Sequence, residues 1–402
     1  MIKQGSFITN IVQSLKYRKV LYPVFYCLLF TFVIFENFSL GPALSLSDII
    51  YGFFLVYFVF KTIGSSRTKS KKLYWIPIIF LGIAVINYLS FNATKMFFSQ
   101  LRFVFNCTFF TAAASYILRK SSVEKEKVLD TYIYICTLAS FFIIIQFLSF
   151  YILHFNLKFD FGNYQGSVNT ASLAIPGVSP YRTGGIFKEP SWYAVFMSPV
   201  LDIAYRRNKI TELIICILGL IFSTSSMGFL FLFVFVSLNF KNNIKYLVWF
   251  GVILFITYYI FPVAFERLFE ALDFSGESEN SNDIRVIAPF GYIFSSQTLP
   301  ILGMNIEDLY VMYDDNFFLN TFLFVLMSFG LLGMVVFLNM IWNKSSLSIS
   351  IIILITVIIE GCYGRIDFWL PLLAATVFND SCKFKKYESN NNRCQRLHWK
   401  AS

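Results

Sequence analysis

The chain has 402 residues with a formal net charge of +10; 57% are hydrophobic, only 14% are charged, and 50 are Phe. A soluble core of that size has no room for so much apolar surface, which excludes an ordinary water-soluble fold. The apolar runs are continuous rather than alternating, which excludes a β-barrel, so the fold class is an all-α polytopic integral membrane protein.

In chain order the apolar segments are residues 20–35, 47–61, 73–90, 96–118, 128–154, 190–205, 210–223, 226–240, 246–261, 317–341, 346–360 and 367–379. They predict about twelve transmembrane helices. With the N-terminus inside, the inner segments collect Lys16, Arg18 and Lys19, then Arg67, Lys69, Lys71 and Lys72, then Arg119, Lys120, Lys125 and Lys127. Arg206, Arg207 and Lys209 follow, the basic tail from Lys383 to Lys400 closes the series, and Lys3, Lys61, Lys241, Lys245 and Lys344 add to it. Roughly three quarters of all Lys and Arg then lie inside, the positive-inside pattern. The basic balance therefore reports topology and excludes a nucleic-acid partner. The first run has no small-residue cleavage site after it and reads as a retained helix.

Residues 1–380 form a single membrane domain, and 381–402 a polar cytoplasmic tail with the composition of a disordered segment. Neither an internal repeat nor a metal-binding cysteine spacing is visible. Cys362 alone sits near the outer face, so no outer disulfide is expected. Two outer loops, 156–189 and 262–316, exceed the usual connection length. The second contains amphipathic stretches around Ala264–Leu272 and Ile284–Phe294, predicted to be short helices at the outer interface.

The first outer loop ends in the densest polar signal, Arg182-Thr-Gly-Gly-Ile-Phe-Lys-Glu-Pro-Ser-Trp-Tyr. Gly184 and Gly185 permit close backbone approach. Pro190 suits a first helical position, so a helix opens there with its N–H groups toward the outer surface. Arg182 and Lys188 flank it. Two readings stay open: an anion site, or a capped re-entry of the chain into the membrane. Arg102 falls inside a span, where a guanidinium is costly and needs a polar cavity or a partner. Arg365, in Gly361-Cys-Tyr-Gly-Arg-Ile-Asp367, reads equally well as paired with Asp367 or Glu360.

The Gly184–Ala194 run resembles the R-x-x-G-x-F-x-E-P-S segment of bacterial O-antigen polymerases. Further elements agree in order: the break at Ser223-Thr-Ser-Ser-Met-Gly228, Arg285 within a large outer loop, and the turn Pro300-Ile-Leu-Gly303. Asp315-Asn316 then leads into a span holding Phe329-Gly-Leu-Leu-Gly333. The resemblance covers most of residues 100–380 and extends to the polymerase and ligase superfamily.

The resemblance implies glycosyl transfer on the outer face of the inner membrane. Repeat units on undecaprenyl pyrophosphate would be joined, the growing chain passing from its carrier to the incoming unit, with no cofactor and no metal. The partners implied are the lipid-linked glycan, membrane lipids, a chain-length regulator and a flippase. Arg182 and Arg285 are the candidates for the pyrophosphate, since Arg binds phosphate in a bidentate fork. Glu189 is the candidate general base. Arg102, Arg365, Lys188, Trp192, Asp315 and Asn316 are candidates for substrate contact. His154, Asp314 and Asp315 are the other candidate proton acceptors. Ligases tend to carry His before the Asn at the position of Asp315-Asn316, which favours polymerase. A ligase-type transferase and a lipid-linked glycan flippase remain the alternatives. A transporter would spread ionisable residues through several spans, whereas here the polar interest gathers in two loops.

Overall fold

The computed structural model describes residues 24–41, 44–63, 71–155, 157, 184–187, 189–239, 291–293, 301–306, 319–342 and 346–382, with isolated residues between 248 and 262. Arg182, Lys188, Arg285, Asp315, Asn316, the tail from 383 and most of both outer loops lie outside the described residues.

The described part is helical apart from one small hairpin. Helix α1 (residues 24–31) tightens into a 3-10 turn, Phe32–Asn37. Strands β1 (Ser39–Gly41) and β2 (Leu44–Ser45) pair antiparallel. The chain then enters α2 (Leu46–Ile63), α3 (Lys71–Phe91), α4 (Thr94–Leu118) and α5 (Ser122–Tyr151). Next come α6 (Pro190–Met197), α7 (Val200–Arg206), α8 (Ile210–Phe222) and α9 (Ser226–Asn239). Then follow α10 (Thr321–Ile341), α11 (Leu347–Ile359) and α12 (residues 366–382). Three of these, α4, α5 and α10, are long and apolar enough to cross a membrane, and several shorter helices are equally apolar.

Local chemistry explains the boundaries. Helix α5 starts at a capping box, in which Ser121 accepts from the Glu124 N–H and Glu124 reaches back to the Ser121 N–H. The predicted span 190–205 is instead two short helices, because Pro199 has no N–H to continue the ladder. At the foot of α8, the Ser223 hydroxyl donates to the Leu220 carbonyl, and Thr224 takes a positive φ of 53°. That turn lets α9 fold back as a hairpin.

Helix α10 is broken at Gly330, whose φ is 66° and ψ −170°. Residues 301–306 lie in the break. The Met304 N–H donates to the Met327 carbonyl (2.8 Å), and the Leu332 N–H to the Ile301 carbonyl (3.3 Å). The Ser328 carbonyl, freed by the kink, accepts from the side-chain amides of Asn87 and Gln100, both at 2.7 Å. A Cβ on Gly330 would overlap the Ile301 carbonyl. Two of the motifs read in the sequence, Ile301-Leu-Gly303 and Phe329-Gly330, therefore meet in space.

Ion pairs tie one end of the bundle. Lys125, early in α5, bonds Asp380 on α12 at 2.7 Å. Arg207 pairs with Glu126 and, at 2.8 Å, with Asp130. Arg119 donates to the Thr62 carbonyl at 3.1 Å. The start of α2, the start of α6 and the α11–α12 turn meet near Arg102, at the other end.

Candidate functional site

The polar segment before α6 is held from below by α5. The Gln146 side chain accepts from the Gly185 N–H (2.9 Å) and donates to the Leu157 carbonyl (3.0 Å), so one buried amide pins both ends of the first outer loop. Gly185 has φ 61°, and a Cβ there would fall 2.9 Å from Ile143 Cδ1. Only a residue without a Cβ fits both demands. Helix α6 opens at Pro190 with Glu189 as its N-cap. The Glu189 carboxylate is exposed and accepts from the Ser191 hydroxyl at 3.3 Å.

Three residues on, Trp192 lies beneath Arg365. The guanidinium carbon sits 3.8 Å from the ring centroid, a cation–π stack. Asp367 grips the same guanidinium as a fork, with Nε donating to Oδ1 at 3.0 Å and Nη2 to Oδ2. Burial works against the Arg365 cation, but Asp367, with Glu360 behind it, more than offsets that and holds the group above its ordinary range. Of the two partners weighed in the sequence, Asp367 makes the direct pair, and Glu360 acts on Arg365 through its field.

The turn carrying Arg365 is clamped by Thr321, the first residue of α10. Its N–H and hydroxyl donate to the Glu360 carbonyl at 2.9 and 2.8 Å, and its oxygen accepts from the Cys362 N–H at 2.8 Å. Tyr363 stacks on Phe324, with ring centroids 3.6 Å apart. Burial pushes the Cys362 thiol up to about 12, so it is no nucleophile at neutral pH.

Gly364 faces Arg102. A Cβ there would lie 3.3 Å from the Arg102 Cδ. Among the described residues, Arg102 donates through Nη2 alone, to Glu36 Oε1 at 2.8 Å and Asp48 Oδ2 at 3.3 Å. Its Nε is buried with no partner among the described residues. The side chain stays 31% exposed, against 4% for Glu36. One turn along α4, Asn106 is fully buried, and neither of its amide atoms finds a partner among the described residues.

Of the nine residues singled out in the sequence, Arg102, Glu189, Trp192 and Arg365 are described. Trp192 and Arg365 touch; Arg102 lies against the residue before Arg365; Glu189 opens the helix that carries Trp192. Glu36 and Asp48 were not singled out. Their signal was their cost, since a carboxylate at the edge of an apolar run calls for a partner. Among the described residues no His, Cys, Asp and Glu group has the makings of a metal site.

Comparison with family models, with curated proteins and with solved structures returns no match.

Proposed function

We propose that this chain is an O-antigen-type polymerase, a glycosyltransferase acting on undecaprenyl-pyrophosphate-linked repeat units. In this reading it crosses a bacterial inner membrane about twelve times, with both termini inside. One observation supports it most: segments distant in sequence, the Gly184–Trp192 run, the Gly364–Asp367 turn and Arg102, converge at one end of the bundle. That is the kind of arrangement a surface transferase needs, with cations gathered at one end of the bundle and an exposed carboxylate on the helix that carries Trp192.

The division of labour follows from the side chains. A lipid pyrophosphate is a stable leaving group, so the enzyme has to hold it, neutralise developing charge and accept the proton of the attacking hydroxyl. Arg102 has guanidinium edge to spare, whereas Arg365 is spent on Asp367 and Trp192. We therefore assign phosphate contact to Arg102 together with Arg182 and Arg285, and to Arg365 the task of joining α6 to the α11–α12 turn. Glu189 is the proposed proton acceptor.

The transporter alternative finds one supporting feature in the break of α10, since transporters place substrates at discontinuous helices. Here the Ser328 and Met327 carbonyls at the break are already occupied by Asn87, Gln100 and Met304. A ligase-type transfer would use the same site with a different acceptor.

The test is to incubate purified protein with one synthetic undecaprenyl-pyrophosphate-linked repeat unit. Polymerase activity predicts products of two and more units. Ala at Arg182, Arg285 or Arg102 should abolish them while the protein still inserts. If the wild type leaves the single unit untouched, yet moves it to another acceptor or across a vesicle, the polymerase assignment is wrong.

A further inference from the structure

Glu36 and Asp48 are joined by more than Arg102. Glu36 Oε2 lies 2.8 Å from Ser47 Oγ, Ser47 Oγ lies 2.7 Å from Ser45 Oγ, and Ser45 Oγ lies 2.8 Å from Asp48 Oδ2. Each separation is the ordinary length of an O–H···O hydrogen bond. Three such bonds need three hydrogens, and two serine hydroxyls supply only two. With both carboxylates ionised, the serines donate outward and two hydroxyl oxygens face each other at 2.7 Å with nothing between them.

The missing hydrogen has one good place. Asp48 Oδ2 already accepts from the Ser45 N–H at 2.7 Å and from Arg102. A proton there would displace a donor. Among the described residues, Glu36 Oε2 meets only Ser47. Protonated at that oxygen, Glu36 donates to Ser47, Ser47 to Ser45 and Ser45 to Asp48, while Glu36 Oε1 still accepts from Arg102.

The charges agree with the hydrogen count. The groups around Glu36 are Arg102 on α4, Ser47, Asp48 and Tyr51 on α2, and Asp367 on α12. Four carboxylates, Glu36, Asp48, Asp367 and Glu360, stand with two guanidiniums, Arg102 and Arg365. A proton on Glu36 reduces that excess of negative charge at the most buried of the carboxylates facing Arg102, the direction burial favours.

We propose that Glu36, Ser47, Ser45 and Asp48 form a proton-binding relay, and that oxyanion binding at Arg102 is linked to the proton it holds. The second half rests on the phosphate role proposed above for Arg102; the first does not. With the proton bound, Arg102 is opposed by one carboxylate and can attract a phosphate. When the proton leaves, a second negative charge settles 2.8 Å from the guanidinium and repels the ligand. Affinity therefore falls as pH rises, by up to about tenfold per pH unit for one linked proton.

Two measurements on the full chain in detergent separate the halves. The first is the infrared C=O stretch of a protonated carboxyl. Wild type should show one that disappears in Glu36→Gln, which mimics the protonated acid, and shifts in Ser47→Ala, where the acid loses its acceptor. If wild type and Glu36→Gln have the same carboxyl spectrum at neutral pH, the relay is overturned, whatever the activity. The second is calorimetric titration with sulfate, an oxyanion whose own charge is constant across neutral pH. Wild type should bind more weakly as pH rises, Glu36→Gln should bind equally at every pH, and Arg102→Ala should not bind. A carboxyl band without sulfate binding, or with pH-independent binding by wild type, keeps the relay and overturns the linkage.

Discussion

Arg365 follows Gly364 in the chain, Arg102 packs against it, and the two are held in opposite ways. Arg365 is closed in. A two-point fork to Asp367 and the face of Trp192 use up both its charge and its plane. Arg102 is held by one nitrogen, shared between two carboxylates, and keeps nearly a third of its side chain in the open. A buried one-to-one pair with every oxygen engaged behaves as a structural pin. A cation tied at one corner, amid an excess of carboxylate, can respond to a ligand or a proton. Charge alone did not distinguish the two arginines; the number of donors left over does.

The largest effect should come from breaking the closed pair. Asp367→Ala leaves a buried guanidinium uncompensated and should cost roughly 3–5 kcal/mol. The check is unfolding in detergent, together with the folded yield. If Asp367→Ala unfolds like wild type, Arg365 is not pinned as described. Arg102→Ala should cost less, about 1.5–3 kcal/mol for the lost charged hydrogen bonds, because Glu36 and Asp48 keep their serine partners and Glu36 carries the proton of the relay. Its deficit should shrink as pH falls. A deficit independent of pH would put Arg102 in the same class as Arg365.

A subtler intervention moves Arg102 without removing it. Gly364→Ala places a methyl 3.3 Å from a flexible side-chain carbon, so Arg102 can give way at a cost below about 1.5 kcal/mol. Transfer activity should nevertheless drop several-fold as the guanidinium shifts. Unchanged turnover would mean that the position of Arg102 does not matter. The smallest effect serves as the baseline at the far end of the bundle. Lys209 and Asp130 are both over 40% exposed and 3.8 Å apart, so Lys209→Ala should change stability by only about 0–1 kcal/mol.

Helix positions were legible because they depend on runs of like residues. The segments read as 210–223 and 226–240 became Ile210–Phe222 and Ser226–Asn239, separated at the polar break Ser223–Ser225. Local breakers were legible only in part. Pro190 opens its helix as expected, while Pro199 divides a segment read as one span. The break at Gly330 could not be seen, because Phe329-Gly-Leu-Leu-Gly333 is apolar throughout and reads as uninterrupted helix.

What the sequence determined by itself was the strongly apolar, helical character of the chain, the placement of several of its helices and the cost of an arginine such as Arg102 within an apolar run. Those are local properties, set by side-chain transfer energies and by proline and cap chemistry within a turn or two. The tertiary structure decided the partnerships: Glu36 with Arg102 across 66 residues, Asn87 with Ser328 across 241, and Trp192 under Arg365. A buried charge announces that it needs a counterpart. Which one it meets depends on how helices pack, and helix packing is fixed by shapes that no stretch of sequence contains alone.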